Sequence, residues 1–110
     1  AMRHSAVRVE GDRLQVFFTN AGDCPERILL STIDLTGDWM AWMPTEPVTV
    51  LAPELPYEGA GLPLEPSKRG WAPAPVRQLR DPAIFEEDGT TCLLYSVAGE
   101  QGIAIARVEW

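Results

Sequence analysis

The stretch Arg80-Asp81-Pro82-Ala83-Ile84-Phe85-Glu86-Glu87-Asp88-Gly89-Thr90-Thr91-Cys92-Leu93-Leu94-Tyr95-Ser96-Val97-Ala98-Gly99 decides the fold. Two apolar runs flank Asp88-Gly89, and Asp-Gly between such runs is a strong signal for a β-hairpin, because glycine accepts positive φ without strain. Arg80 and Asp81 stand at the entrance of the first strand, before a proline that fixes φ. We therefore predict a hairpin whose entrance carries a polar pair, where β-folds often present ligand-facing groups.

The same pattern occurs a second time near the start of the chain. With a shift of 77 positions, the stretch 3–22 aligns without a gap on 80–99 and shares five identities with it. After a two-residue difference, the apolar run 28–33 aligns with 103–108. An internal repeat of this kind indicates that one supersecondary unit is used twice.

The repeat divides the chain into two sheets within a single domain, residues 1–110. The first unit, about 3–51, has predicted strands over 5–10, 13–20, 27–36 and 47–51, which make a complete four-stranded antiparallel sheet. The second unit, 80–110, has predicted strands over 82–87, 91–97 and 103–109 and lacks a fourth. Eight of the ten prolines fall between Pro44 and Pro75, which excludes regular helix or central strand there. We interpret residues 52–79 as an ordered connection.

Repeated four-stranded antiparallel units with two apolar faces are typical of β-propeller blades. We therefore predict an all-β fold of two propeller-like blades, the second without its outer strand, that is, a partial β-propeller. The alternative is a small β-sandwich. Two blades cannot close a ring, since propellers have at least about four. The chain must then either associate with copies of itself, as a dimer or trimer, or pack its two sheets face to face.

Charge and cysteine content limit the partners. The net charge is −7, which argues against binding nucleic acid or an anionic membrane surface. No apolar run approaches the roughly 20 residues of a membrane helix. Cys24 and Cys92 are predicted at different positions along the strand direction of the two units, too far apart for a disulfide. We therefore expect free thiols and a cytoplasmic location. The chain has one histidine and no phosphate-binding or zinc motif, so we expect no metal and no cofactor.

Arg80-Asp81-Pro82, followed by a strand, Asp-Gly and Leu93-Leu94-Tyr95-Ser96, resembles the blade motif of five-bladed β-propeller glycoside hydrolases of the arabinanase, xylosidase and fructosidase type. Further segments fit the same pattern: 3–6, 58–59, 63–67 and 102–106. The whole chain resembles the C-terminal two blades of these proteins, in which the N-terminus supplies the missing outer strand. The three catalytic carboxylates of that family lie on other blades, so the resemblance implies no catalytic role for any residue here.

The candidate ligand-binding residues are the entrance pairs of the two repeats and one aromatic residue. We predict that Asp81 bonds sugar hydroxyls and that Arg80 orients it, with Arg3 and His4 in the equivalent positions and Trp71 as a stacking platform. The alternative is structural: an Arg-Asp pair that ties the blades together, a surface histidine, and an aromatic side chain that packs in the core or an interface.

Glu58, beside Tyr57 and Gly59, is the best candidate for a general acid. Glycoside hydrolysis needs two carboxyl groups about 5–9.5 Å apart, one of them with a raised pKa. Asp81 and Glu58 form such a catalytic pair only if the connection folds back over the entrance. The carboxylate set looks incomplete, so we expect no catalysis from the isolated chain.

Three functions follow from these observations. The first is a carbohydrate-binding or vestigial glycoside-hydrolase-like module whose pocket is completed by self-association. The second is a non-catalytic structural or interaction protein built from a propeller fragment. The third is an active glycoside hydrolase that uses Asp81 and Glu58.

Overall fold

A computed structural model describes all 110 residues and shows an all-β chain with two antiparallel sheets. Sheet 1 contains β1 (Met2–Glu10), β2 (Arg13–Asn20), β3 (Ile28–Asp34) and β4 (Val48–Leu51), in that order across the sheet. Sheet 2 contains β5 (Arg80–Glu87), β6 (Thr90–Val97) and β7 (Gly102–Arg107), also in chain order. The only helical segments are two 3₁₀ turns, Trp39–Ala41 and Pro56–Glu58. The sheets are open and do not close into a ring.

The two sheets have the same internal register. In sheet 1, Arg3 pairs with Thr19 and Ala6 with Phe17, and the register shifts between Arg3 and Ala6. In sheet 2 the residues 77 positions later make the same pairs, and the register shifts at the same place, between Arg80 and Ala83. The third strands correspond with a shift of 75 positions, because Phe17 pairs with Leu30 and Leu94 pairs with Ile105. The sequence repeat is therefore a repeat of three strands and one bulge.

The bulge explains why the first strand of each sheet begins earlier than predicted. His4 and Asp81 occupy equivalent bulge positions and have φ values of 49° and 53°. Positive φ is uncommon outside glycine, although Asn, Asp and His tolerate it better than other residues. The bulge inserts extra residues without ending the ladder, so strand pairing continues back to Met2 in sheet 1 and to Arg80 in sheet 2.

Each sheet has two faces, which the repeat allows us to define in the same way for both. We call the front face the one formed by Arg8, Gln15, Phe17, Ile28 and Leu30 in sheet 1, and by the equivalent Phe85, Cys92, Leu94, Ile103 and Ile105 in sheet 2. The back face is formed by Val7, Val9, Val16, Phe18 and Leu29 in sheet 1, and by the equivalent Ile84, Glu86, Leu93, Tyr95 and Ala104 in sheet 2. These sets follow from the pairing registers and from the alternation of side chains along a strand.

The core lies between the front face of sheet 1 and the back face of sheet 2. Phe17 and Ile28 from sheet 1 are fully buried in one cluster with Leu93 and Tyr95 from sheet 2. Arg8 of sheet 1 pairs with Glu86 of sheet 2 at 2.5 Å across the same interface. The two repeats thus pack front to back, so the faces that meet are not equivalent.

Much apolar surface remains outside this core. Only 24 of the 110 residues are buried, and the radius of gyration is 14.6 Å, against about 13 Å for a compact domain of this length. No helix of the chain has both the length and the apolar character that crossing a membrane requires. Both cysteines are free thiols.

The proline-rich connection is ordered, and part of it packs against the core. Leu79 and Ala72 are buried, and the backbone N–H of Ser67 donates to the carbonyl of Asp23 at 2.9 Å. The backbone N–H of Ala98 donates to the carbonyl of Glu58 at 3.2 Å. These contacts hold the connection along the ends of β2 and β6, next to the entrances of the first strands.

Candidate functional site

The site lies where the first strands of the two sheets begin side by side. A cavity of about 400 Å³ opens there, within the range typical of small-molecule sites. We call it the entrance cavity; it is lined by Arg3, His4, Arg69, Gly70, Trp71, Arg80 and Glu100. Four of the five residues predicted as ligand-binding line it, and the fifth, Asp81, contacts His4. The residues of a single chain line this cavity, and its completion by self-association stays a prediction.

A buried carboxylate holds the two repeat-related arginines. Arg3 donates to Glu26 through Nε at 2.9 Å and through Nη2 at 2.5 Å. Nε of Arg80 lies 3.5 Å from Oε1 of the same carboxylate, and Glu26 has no exposed surface. Burial raises the pKa of Glu26, but hydrogen bonds from Arg3 and other donors outweigh burial and leave the pKa below its ordinary value. Glu26 is therefore charged and joins the first strands of both sheets.

Arg80 is saturated by contacts within the protein. Its guanidinium donates to Oε1 of Gln78 from Nε at 3.0 Å, to the carbonyl of Gly70 at 3.0 Å and to Glu100 at 3.3 Å. Only 4% of the residue is exposed. The structural alternative that we stated for Arg80 fits these contacts, because few of its donors are free for a ligand. Arg80 supports the floor of the cavity, and its hydrogen bond to Gly70 positions the segment that carries Trp71.

His4 and Asp81 form a second link between the repeats. Nδ1 of His4 contacts Oδ1 of Asp81, and Asp81 accepts a hydrogen bond from the Ser96 hydroxyl at 3.0 Å. Both side chains remain partly exposed, 58% for His4 and 36% for Asp81. Each sits in the strained left-handed region at its bulge. Two residues in this region cost of order 1–3 kcal/mol each, and such strain tends to occur where a site constrains the backbone.

Trp71 and Arg69 are exposed residues of the cavity. Trp71 is 75% exposed, and Arg69 is exposed and makes no ion pair. A second hollow of about 260 Å³ shares Arg69, Trp71 and Arg80 with the entrance cavity and adds Lys68. The aromatic ring therefore stands between two hollows, with an unpaired guanidinium beside it.

Glu58 lies apart from the entrance cavity and has a structural environment. It is buried and accepts hydrogen bonds from the backbone N–H groups of Glu54 and Leu55, both at 3.0 Å. The Tyr95 hydroxyl donates to it at 2.7 Å. Burial raises the pKa of Glu58, but these bonds outweigh burial and leave the pKa below its ordinary value.

This environment does not suit the general acid that we predicted, because a general acid needs a raised pKa. Tyr95 binds Glu58, whereas the next residue, Ser96, binds Asp81. Successive side chains of a strand point to opposite faces, so Glu58 and Asp81 do not converge on one pocket. Glu58 therefore has no catalytic part in the proposals below.

A hollow larger than the entrance cavity lies at the other end of β1. It has about 890 Å³ and is lined mainly by polar residues of the β1–β2 turn and of β3, among them Asp12, Arg13 and Asp34. It contains no aromatic side chain and no histidine. No group of residues in the chain has the composition of a metal site. The entrance cavity remains the better candidate because it joins an exposed aromatic ring with convergent polar groups.

Glu26 is the site residue that sequence reasoning missed. It follows Pro25 in the loop between β2 and β3 and has no counterpart in the second repeat. Its partners Arg3 and Arg80 are far from it along the chain. An arginine at the same position of both repeats was the available signal, since two buried guanidinium groups side by side require a shared anion.

Comparison with known proteins gives no function. No known protein family matches the chain, and no solved structure matches it. The chain is similar to an uncharacterized protein of Acanthamoeba polyphaga mimivirus, with 47% identity over 108 residues. The match covers 97% of this chain but 30% of the relative, so the chain spans less than a third of the length of that relative.

Proposed function

We propose that this protein binds a carbohydrate in the entrance cavity without catalysing its hydrolysis. The observation that carries the proposal is the exposed indole of Trp71 beside Arg69, Arg3 and His4. A pyranose ring offers an apolar C–H face together with hydroxyl groups. The indole supplies a flat apolar surface, and guanidinium and imidazole groups supply hydrogen-bond donors to hydroxyl oxygens.

The strained pair His4 and Asp81 supports a binding role at the same place. Oδ1 of Asp81 is buried against His4, so the carboxylate can accept from a ligand through Oδ2, which has a second lone pair beside the hydrogen bond from Ser96. Donors therefore line the cavity, and an acceptor carboxylate lies next to its His4 wall, as sugar hydroxyls require.

The charges of the cavity favour a neutral or singly anionic sugar. Arg3 and Arg80 are balanced by Glu26 and Glu100, and Asp81 faces His4. Arg69 alone carries a charge without a partner. A polyanion would meet the carboxylates Glu100 and Asp81 at close range, whereas one carboxylate could pair with Arg69.

Binding is tested by titrating the chain with a panel of neutral sugars and hexuronates, followed by tryptophan fluorescence and by NMR shifts. We expect Trp71→Ala to abolish binding. The matched control is Trp39→Ala, since Trp39 is similarly exposed, at 69%, and lies outside the cavity. Equal affinity in Trp71→Ala and the wild type would refute the proposed site.

The second candidate is a structural or interaction protein without a ligand. The saturated contacts of Arg80 and the buried Glu26 favour it, because both groups are used to join the sheets. It predicts that no sugar of the panel shifts any signal at the cavity. Under this alternative, Asp81→Asn lowers only stability, whereas under the first candidate it also weakens sugar binding.

A further inference from the structure

We propose that the free front face of sheet 2 binds the free back face of sheet 1 in a second copy of this chain. The inference does not depend on carbohydrate binding. It rests on the front-to-back packing of the two repeats, in which the front face of sheet 1 meets the back face of sheet 2. This packing leaves the back face of sheet 1 and the front face of sheet 2 without a partner.

The free front face of sheet 2 is apolar and exposed. Phe85 is 53% exposed, Ile103 79% and Ile105 63%. Leu94 and Cys92 lie between them in the sheet and are half-buried. The equivalent residues of sheet 1, Phe17 and Leu30 among them, pack in the core of the same chain. This face therefore has the position in the repeat that sheet 1 uses to bind a neighbouring sheet.

The free back face of sheet 1 is apolar as well. Val7 and Val9 are 57% and 61% exposed, and Leu14 and Val16 beside them are half-buried. Phe18 and Leu29, at the end of this face nearest the entrance cavity, are buried within the chain. The available area is therefore the half of the face closest to the β1–β2 turn.

The repeat also indicates which residues meet. Within the chain, Arg8 on a front face bonds Glu86 on a back face at 2.5 Å. The equivalent of Arg8 in sheet 2 is Phe85, and the equivalent of Glu86 in sheet 1 is Val9. A charged pair inside the chain thus corresponds to an apolar pair between copies. Both members of the apolar pair are exposed in the single chain, whereas both members of the charged pair already have a partner.

This arrangement continues an interface that the chain already contains. The free front face of sheet 2 is equivalent to the front face of sheet 1, and the free back face of sheet 1 is equivalent to the back face of sheet 2. Because these two equivalent faces already pack on each other within the chain, a second copy fits better than an unrelated partner. Such an interface is heterologous, so it forms a ring if the rotation closes and a filament if it does not. A symmetric dimer through one face is a different arrangement, and the experiment separates the two.

The test is the mass in solution, measured by light scattering during size exclusion over a range of concentrations. The wild type should exceed the 12.1 kDa of one chain, with a mass that rises with concentration. Phe85→Arg and Val9→Glu should each give a monomer, because each places an unpaired charge in an apolar interface. The matched control is Leu64→Glu, since Leu64 is 56% exposed and lies outside both sheets.

The double variant Phe85→Arg with Val9→Glu is the decisive measurement. It places between copies the same pair of residue types that Arg8 and Glu86 form within the chain. We expect it to associate again, and more weakly at high salt. A front-to-front dimer would survive Val9→Glu and would not recover in the double variant, and either result overturns the proposal. A wild type that stays monomeric at millimolar concentration overturns it too.

All these substitutions are at exposed positions, and circular dichroism with urea unfolding verifies that each variant is folded. If a substitution at Val9 prevents folding, Val7→Glu tests the same face, since Val7 is similarly exposed. If the wild type assembles but binds no sugar, the proposed function is wrong and the proposed assembly stands.

Discussion

Replacement of Glu26 by glutamine should destabilise the protein more than any other single carboxylate-to-amide change. Glu26 is fully buried and binds Arg3 by two hydrogen bonds, and Arg80 lies 3.5 Å away. Glutamine keeps the size of the side chain but removes the charge that compensates two guanidinium groups.

The expected loss is about 3–5 kcal/mol, the range found when one member of a buried ion pair is removed. The lower part of this range is expected, because the Arg3 side chain keeps 11% of its surface exposed and can turn towards water. A domain of this size has a total stability of roughly 5–15 kcal/mol, so the variant should remain folded but marginal.

The assay is equilibrium unfolding in urea, followed by the fluorescence of the four tryptophans. With a slope of about 1–3 kcal/mol per M, the midpoint should fall by about 2 M. The control is Glu46→Gln, because Glu46 is exposed and makes no ion pair. Its free energy of unfolding should change by less than about 0.5 kcal/mol.

A double replacement of Arg3 and Glu26 provides a second control. Arg3→Met combined with Glu26→Met should cost less than the sum of the single changes, because an apolar pair leaves one buried charge fewer without a partner. If Glu26→Gln unfolds at the same urea concentration as Glu46→Gln, the buried carboxylate does not join the sheets, and our account of the site is wrong.

Two further predictions concern the same carboxylates. The pKa values of Glu26 and Glu58 lie below the ordinary 4.5 in the folded state. Their contribution to the free energy of unfolding is therefore fully present above about pH 4.5 and is lost as the pH falls through the lowered values. Urea midpoints between pH 3 and 7 should show this decline, and Glu58→Gln should make it shallower; an unchanged slope would contradict the assignment. Tyr95→Phe removes the hydroxyl that donates to Glu58 at 2.7 Å and should cost about 1.5–3 kcal/mol. The cost should shrink in a Glu58→Gln background, and equal costs in both backgrounds would show that the two side chains are not coupled.

Much of the fold could be predicted because its signals are local. The Asp88-Gly89 turn and the apolar runs that flank it predicted the second hairpin, and the shift of 77 identified the corresponding strands of the first. Strand ends were less accurate. The bulges at His4 and Asp81 adopt positive φ without glycine, and no sequence pattern announces such a conformation in these residues.

The site could be predicted only in part, because its chemistry depends on distant contacts. The entrance pairs were found from their position in the repeat, and they do lie together. Glu58 follows Pro56 in a short 3₁₀ turn and reads as a loop residue, yet the turn directs its carboxylate inwards to Tyr95. Glu26 has no local signal at all, since its role arises only when β1 and β5 begin side by side.

The outer strand of sheet 2 has a consequence for handling the protein. No strand pairs with the far side of β7, whose sequence is Gly102-Ile103-Ala104-Ile105-Ala106-Arg107. Its first five residues are uncharged, and such a run at an open edge is a template for cross-β aggregation; Arg107 is the charged residue that directly follows the run. The net charge of −7 keeps chains apart at low ionic strength. Salt screens that repulsion, so we expect concentrated samples in high salt to form fibrils that grow from β7.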